Sequence, residues 1–163
     1  MILSLGAMIL LTITIQNINK KTLYTEDTMY NSNFGITATS IASSIIEDAG
    51  KKRFDNVFYS GDSVVANVSS FTPANALGVD SGEVTSNPLT FNDFDDYDNY
   101  TTVDSTMPSA IYDVACSVCY VNRATPDITL NTQSWHKKIT VRVWSRSMQD
   151  TIAMSTIFSY WTN

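Results

Sequence analysis

The stretch "FNDFDDYDNY", residues 91–100, concentrates the side chains with the clearest chemistry in this chain of 163 residues. Asp93, Asp95, Asp96 and Asp98 offer hard carboxylate oxygens at alternate or adjacent positions, a donor set that suits Ca2+. Asp93, Asp95 and Asp98 are the candidate ligands, and Asp104 stands at the interval of the last ligand of an EF-hand loop. Such a loop needs glycine at its sixth position, where this chain has Asp98, and no helix pair flanks the run. A plainer reading is a solvated turn in which Phe91, Phe94, Tyr97 and Tyr100, every third residue, pack inward. That reading is preferred, and calcium is the one cofactor for which the residues argue at all.

Cys116 and Cys119 form a C-x-x-C, a spacing used in redox, zinc and haem chemistry. Haem attachment would need histidine at position 120, which is tyrosine, and zinc would need two further ligands where the chain has only His136. The pair falls in a β-rich run, where residues three apart lie ~10 Å apart and point to opposite faces. A disulfide needs Cα atoms within about 7 Å, so a direct bridge is disfavoured. Cys116 reads as a buried apolar residue, and Cys119 faces the covering helix or solvent, with an intersubunit bond as its one chemical option. His136 has no G-x-S-x-G or H-E-x-x-H around it and reads as structural. No glycine-rich phosphate loop occurs, so no constellation supports an enzyme. The N-x-S/T patterns at Asn67 and Asn99 mark exposed loops. A net charge of −6 argues against a basic face for nucleic acid or anionic lipid. With 44% apolar and 16% charged residues, the chain can build a packed core.

The elements that must position these residues begin with "MILSLGAMILLTITIQNINKK", in which no charge precedes Lys20. As a helix, Met1 to Asn19 would span roughly 28 Å, marginal against a hydrocarbon core of about 30 Å. A secretory signal peptide would carry a positive leading region and a small-x-small cleavage site, and neither is evident. If Met1 is the first residue of a processed chain, a basic leader has been removed before it. From Thr22 to Ala49 there is no proline, and Met29, Phe34, Ile36 or Ala38, Ile41 and Ile45 recur at helical steps, with Ala42, Ile46 and Ala49 beside them. Gly50 and the cations Lys51, Lys52 and Arg53 supply a stop. The spacing predicts one helix from about Ile2 to Ala49, apolar all round in its first half and amphipathic in its second, with two helices joined near residues 30–33 as the alternative. A helix apolar on every side must be covered on every side, by lipid or by other copies of the chain.

Residues 51–110 are turn-rich, with a long loop at 71–88 and a short strand expected around Val64 to Val68. Three β-rich runs follow: "IYDVACSVCYVN" at 111–122, "KKITVRVWS" at 137–145 and "DTIAMSTIFSYW" at 150–161. The first puts Tyr112, Val114, Cys116, Val118 and Tyr120 on one face, and the second puts Ile139, Val141 and Val143 there. The segments "NRATPD" at 122–127 and "SRSMQD" at 145–150 read as connections. This predicts an antiparallel meander covered on one face by the amphipathic half of the helix, an α+β fold. The chain divides into a stem, 1–25, and a head, 26–163, the head comprising the loop-rich 51–110 and a β-meander at 111–161.

This layout, with "FNDFDDYDNY", "VCYVN" at 118–122 and "WHKKITVRVWS" at 135–145, resembles type IV pilins and type II secretion pseudopilins. The resemblance implies a structural subunit of an extracellular, pilus-like filament at the cell surface, released from a membrane-inserted precursor by prepilin processing. It further implies self-assembly into a helical homo-oligomer through Met1, Ile2, Leu3, Leu5, Met8, Ile9, Leu10, Ile13 and Ile15, with assembly machinery and contacted surfaces as further partners. The family's glutamate at the fifth mature position is Leu5 here, and its proline near position 22 is Thr22. The alternative is a membrane-anchored or secreted monomeric binding or adhesion module, which needs no self-association.

Overall fold

The computed structural model describes residues 2–57, 65–107 and 110–161, with side chains described from Gly6 onward. Helix α1 runs without a break over Ile2–Gly50, roughly 73 Å at ~1.5 Å per residue. Threonine is a weak helix former because its hydroxyl competes for backbone groups. Here that competition is resolved inside the helix. Thr12, Thr14, Thr22, Thr25 and Thr28 each donate their hydroxyl to the carbonyl four residues back, at 2.8–3.1 Å. Past Gly50 the chain turns on bonds from Lys51 N to Asp48 O and from Lys52 N to Ala49 O. The Lys51 ammonium pairs with Asp48 at 2.9 Å on the surface.

Five strands form one antiparallel sheet: β1 (Thr101–Asp104), β2 (Tyr112–Asn122), β3 (Thr125–Leu130), β4 (His136–Trp144) and β5 (Ile152–Ser159). Their order is β1-β2-β4-β5, with β3 also paired to β2. The expected alternation is present. Tyr112, Val114, Cys116, Val118 and Tyr120 are buried, and so are Ile139, Val141 and Val143 opposite them. Helix α1 lies on this face through Ala38, Ala42 and Ala49, all fully buried, with Phe34, Ile41, Ile45 and Ile46 half-buried alongside. Small residues at the contact let the helix backbone approach the sheet closely. Met29 falls outside the covered stripe and is exposed, a departure from the expected periodic set, and of the alternatives Ile36 and Ala38 it is Ala38 that is buried.

Two strands were not legible in the turn-rich segments. β1 uses Thr101 and Val103, pairing with the first half of β2, and β3 begins at Thr125, so the "NRATPD" connection shrinks to a turn at Arg123 and Ala124. The strand expected around Val64 to Val68 is absent where the structure describes it. Val64 lies outside the described residues, Val65–Asn67 are irregular, and a 3-10 turn spans Val68–Ser70. Among the described residues no helix is long and apolar enough to cross a membrane.

Candidate functional site

Two places in the molecule carry unusual physical chemistry. One is the loop region between α1 and the sheet, and the other is the uncovered half of α1. The loop region is organised by Lys137, which alternation along β4 places in phase with Ile139, Val141 and Val143 on the buried face. Its ammonium donates to the Asp55 carboxylate at 2.8 Å, to the Phe54 carbonyl at 2.7 Å and to Asp95. It also sits 4.7 Å from the centre of the Phe54 ring and 5.4 Å from that of Tyr120. Lys137, Asp55 and Asp95 are all essentially inaccessible to water. Desolvating a charge is costly unless partners surround it, and here two carboxylates, a carbonyl and two rings do so. Asp55 also accepts from Thr72 N at 2.9 Å, and the Tyr120 hydroxyl donates to Thr72 O at 2.8 Å. Lys137 thereby pins two loop segments to the sheet, and Asp55 and Tyr120 hold a third at Thr72.

Next to it lies a second group of acids. Asp80, Asp93 and Asp96 bring one carboxylate oxygen each within 4.8 Å of one another. Asp93 and Asp96 are buried. Asp96 Oδ2 accepts from the backbone N–H groups of Asn92 and Asp93 at 2.8 and 2.9 Å, and Asp93 Oδ1 accepts from Asp95 N at 2.9 Å. Glu83 accepts from Asp80 N, Asn92 N and the Asn92 amide, which ties the loop at 80–83 to the 3-10 turn Asp95–Tyr97. Burial pushes the Asp93 carboxyl well above the ordinary carboxylate range, and the neighbouring Asp95 carboxylate adds to it. Burial likewise raises Asp96, with the Glu83 carboxyl within hydrogen-bonding reach, against the lowering effect of its two N–H donors. Asp80 is raised by burial and by Glu83.

The candidate calcium ligands therefore part company. Asp93 joins Asp80 and Asp96, whereas Asp95 is committed to Lys137. Asp98 serves the sheet: along the edge of β2 left between β1 and β3, its Oδ1 accepts the N–H of Val118 at 2.7 Å, while Tyr100 O accepts that of Cys116 at 2.8 Å. Asp104 turns to Thr106 instead. Phe91, Phe94, Tyr97 and Tyr100 are buried as expected, but the turn is not solvated, because Asp93, Asp95 and Asp96 are buried with them. The sequence signal for Lys137 was its phase in β4. Asp55, Asp80 and Glu83 carried no local signal, since only the fold of the loops brings them to the run at 91–100.

Cys116 is buried, with its thiol pushed up to about 12 by that burial, and Cys119 is half-buried beside the Thr129 hydroxyl at 3.6 Å. Both are free thiols. His136 Nδ1 lies 2.7 Å from Ser159 Oγ, across the pairing of β4 with β5.

On α1, every described side chain from Gly6 to Tyr30 is exposed. Met8, Leu10 and Leu11 keep 68%, 68% and 61% of their surface, and Ile9, Ile13, Ile15 and Ile18 about half. Of the remaining stem candidates, Met1 lies outside the described residues, and Ile2, Leu3 and Leu5 are placed in the helix by backbone only. One long N-terminal helix packed on an antiparallel sheet is compatible with a pilin-like fold. No protein-family model, curated protein or solved structure matches the chain.

Proposed function

We propose that the protein is a structural subunit of an extracellular, pilus-like filament, in which the first half of α1 packs against the same segment of neighbouring copies. The observation that carries this reading is the run of exposed apolar side chains from Met8 to Ile18, which the head does not cover. Fully burying each such side chain is worth ~1.5–3 kcal/mol, so water is a poor permanent surrounding for them. The threonines strengthen the case. Thr12 and Thr14 have turned their hydroxyls onto Met8 O and Leu10 O, leaving those donors satisfied when a neighbour excludes water. Self-packing along an extended stem is a head-to-tail contact, which propagates instead of closing. The head, held by its own core, would then face outward.

The test uses Ile9→Asp and Ile13→Asp in the full chain. Both side chains are exposed in the single subunit, so its fold should survive the change. Sheared cell-surface material is sedimented and viewed by electron microscopy. Filaments from the wild-type chain and none from either variant support the reading. Normal filaments from both variants would overturn it and favour the monomeric binding module.

A further inference from the structure

Two oxygen atoms in the acidic group stand out. Asp96 Oδ1 and Asn92 Oδ1 are sealed from solvent and accept no hydrogen bond. Asp96 as a whole is 0% exposed. Buried acceptors without a donor are rare in native proteins, and a carboxylate in that position is the rarer case. The local N–H donors are committed elsewhere. The N–H groups of Asn92 and Asp93 already serve Asp96 Oδ2, that of Asp95 serves Asp93, and the Asn92 amide serves Glu83. Lys137, the buried cation nearby, is held by Asp55 and Asp95. The group presents more carboxylate oxygens than the N–H donors around it serve.

We propose that Asp80, Asp93 and Asp96 bind one Ca2+, with Asn92 Oδ1 as a neutral oxygen at its margin and Glu83 positioning Asn92. The donor chemistry selects the ion. All the ligands are hard oxygens, and no cysteine or histidine joins the group, which excludes a zinc-type set. Ca2+ binds oxygens at about 2.3–2.6 Å in irregular arrangements, so ligands on opposite sides stand about 5 Å apart. Oxygens within 4.8 Å of one another fit that span. Mg2+ holds its ligands at about 2.0–2.1 Å, demands an octahedron and keeps several waters, which a sealed carboxylate such as Asp96 does not accommodate. The bound ion would fasten the loop at 80–83 to the turn Asp95–Tyr97. Phe94 N in turn donates to Arg53 O at 2.9 Å, which links that turn to the end of α1.

The experiment is equilibrium dialysis of the full chain against radioactive Ca2+, with thermal melts in 1 mM CaCl2, 1 mM MgCl2 or EDTA. One Ca2+ per chain and a melting temperature about 5–10 °C higher in calcium than in EDTA are expected. Asp80→Asn, at a half-exposed position, should fold in EDTA as the wild type does and lose both the ion and the shift. Asp96→Asn keeps an acceptor for the two N–H groups and should behave alike. Asp104→Asn, outside the group, should bind normally. A wild-type chain that binds no calcium at 1 mM would overturn the proposal. So would folded Asp80→Asn and Asp96→Asn chains that bind it fully, or a shift in magnesium equal to that in calcium.

Discussion

The two ends of α1 obey the same backbone rules and meet opposite surroundings. From Phe34 to Ala49 the helix is anchored by alanines at zero exposure and seated on strands β4 and β5 of the sheet. From Met8 to Ile18 it carries methionine, leucine and isoleucine side chains on all sides and touches nothing that covers them. Small residues mark a contact already made within the chain, where the backbones must come close. Large ones on every side mark a contact still to be made. Under the proposed filament packing, the difference teaches that the head is built to be stable alone, and the stem to be stable in company.

Five measurements would break or sharpen that contrast. Replacing Lys137 with alanine should be the most damaging to the head, because it strands the carboxylates of Asp55 and Asp95 in a site without water. A loss of ~3–5 kcal/mol is expected in urea unfolding, whereas Lys20→Ala in the stem should stay within about 0.5 kcal/mol. Next comes Ala42→Leu, which forces extra volume between α1 and the sheet and should cost ~1–3 kcal/mol by the same assay. A head that accepted this change without loss would mean that the helix is not closely seated. The stem should respond the other way round. Ile13→Ala is expected to leave urea unfolding of the single subunit within about 0.5 kcal/mol of wild type while reducing sedimentable material.

The smallest effect is chemical. At pH 8, iodoacetamide should modify Cys119 in the native protein and spare Cys116, as read by peptide mass spectrometry. The pH dependence follows from the same burial. The Cys116 thiol, ordinarily near 9, stands at about 12 in the folded chain, and burial raises Tyr97 and Tyr120 as well. An unfolded chain therefore gives up these protons first. The stability they contribute is complete below about pH 9 and is lost as pH rises toward 12, so the melting temperature should fall across that interval. A flat profile would place Cys116 in contact with water.

Much of the fold was legible because it follows a period. The step of three and four residues from Phe34 to Ala49 predicted the covered face of α1, and alternation in β2 and β4 predicted the buried face of the sheet. The exceptions are instructive. Met29 fits a helical step loosely and lies outside the stripe. β1 and β3 are short edge strands whose pairing partner, not their composition, makes them strands. In the acidic run, the aromatic spacing was informative about packing, but burial of the aspartates was not expected. Carboxylates ordinarily face water, and nothing local announces the lysine that waits for Asp95 on β4.

By itself the sequence determined the long helix, its apolar first half, the alternating strands and hence the α+β class, all properties of neighbours along the chain. Only the tertiary structure decided which aspartate meets Lys137, which one seals the edge of β2, and that Asp80 and Asp93 come together with Asp96. Those choices depend on loops from distant parts of the chain folding onto one spot. Charge is decisive there, because a buried carboxylate is tolerable only beside the partner that the fold delivers to it.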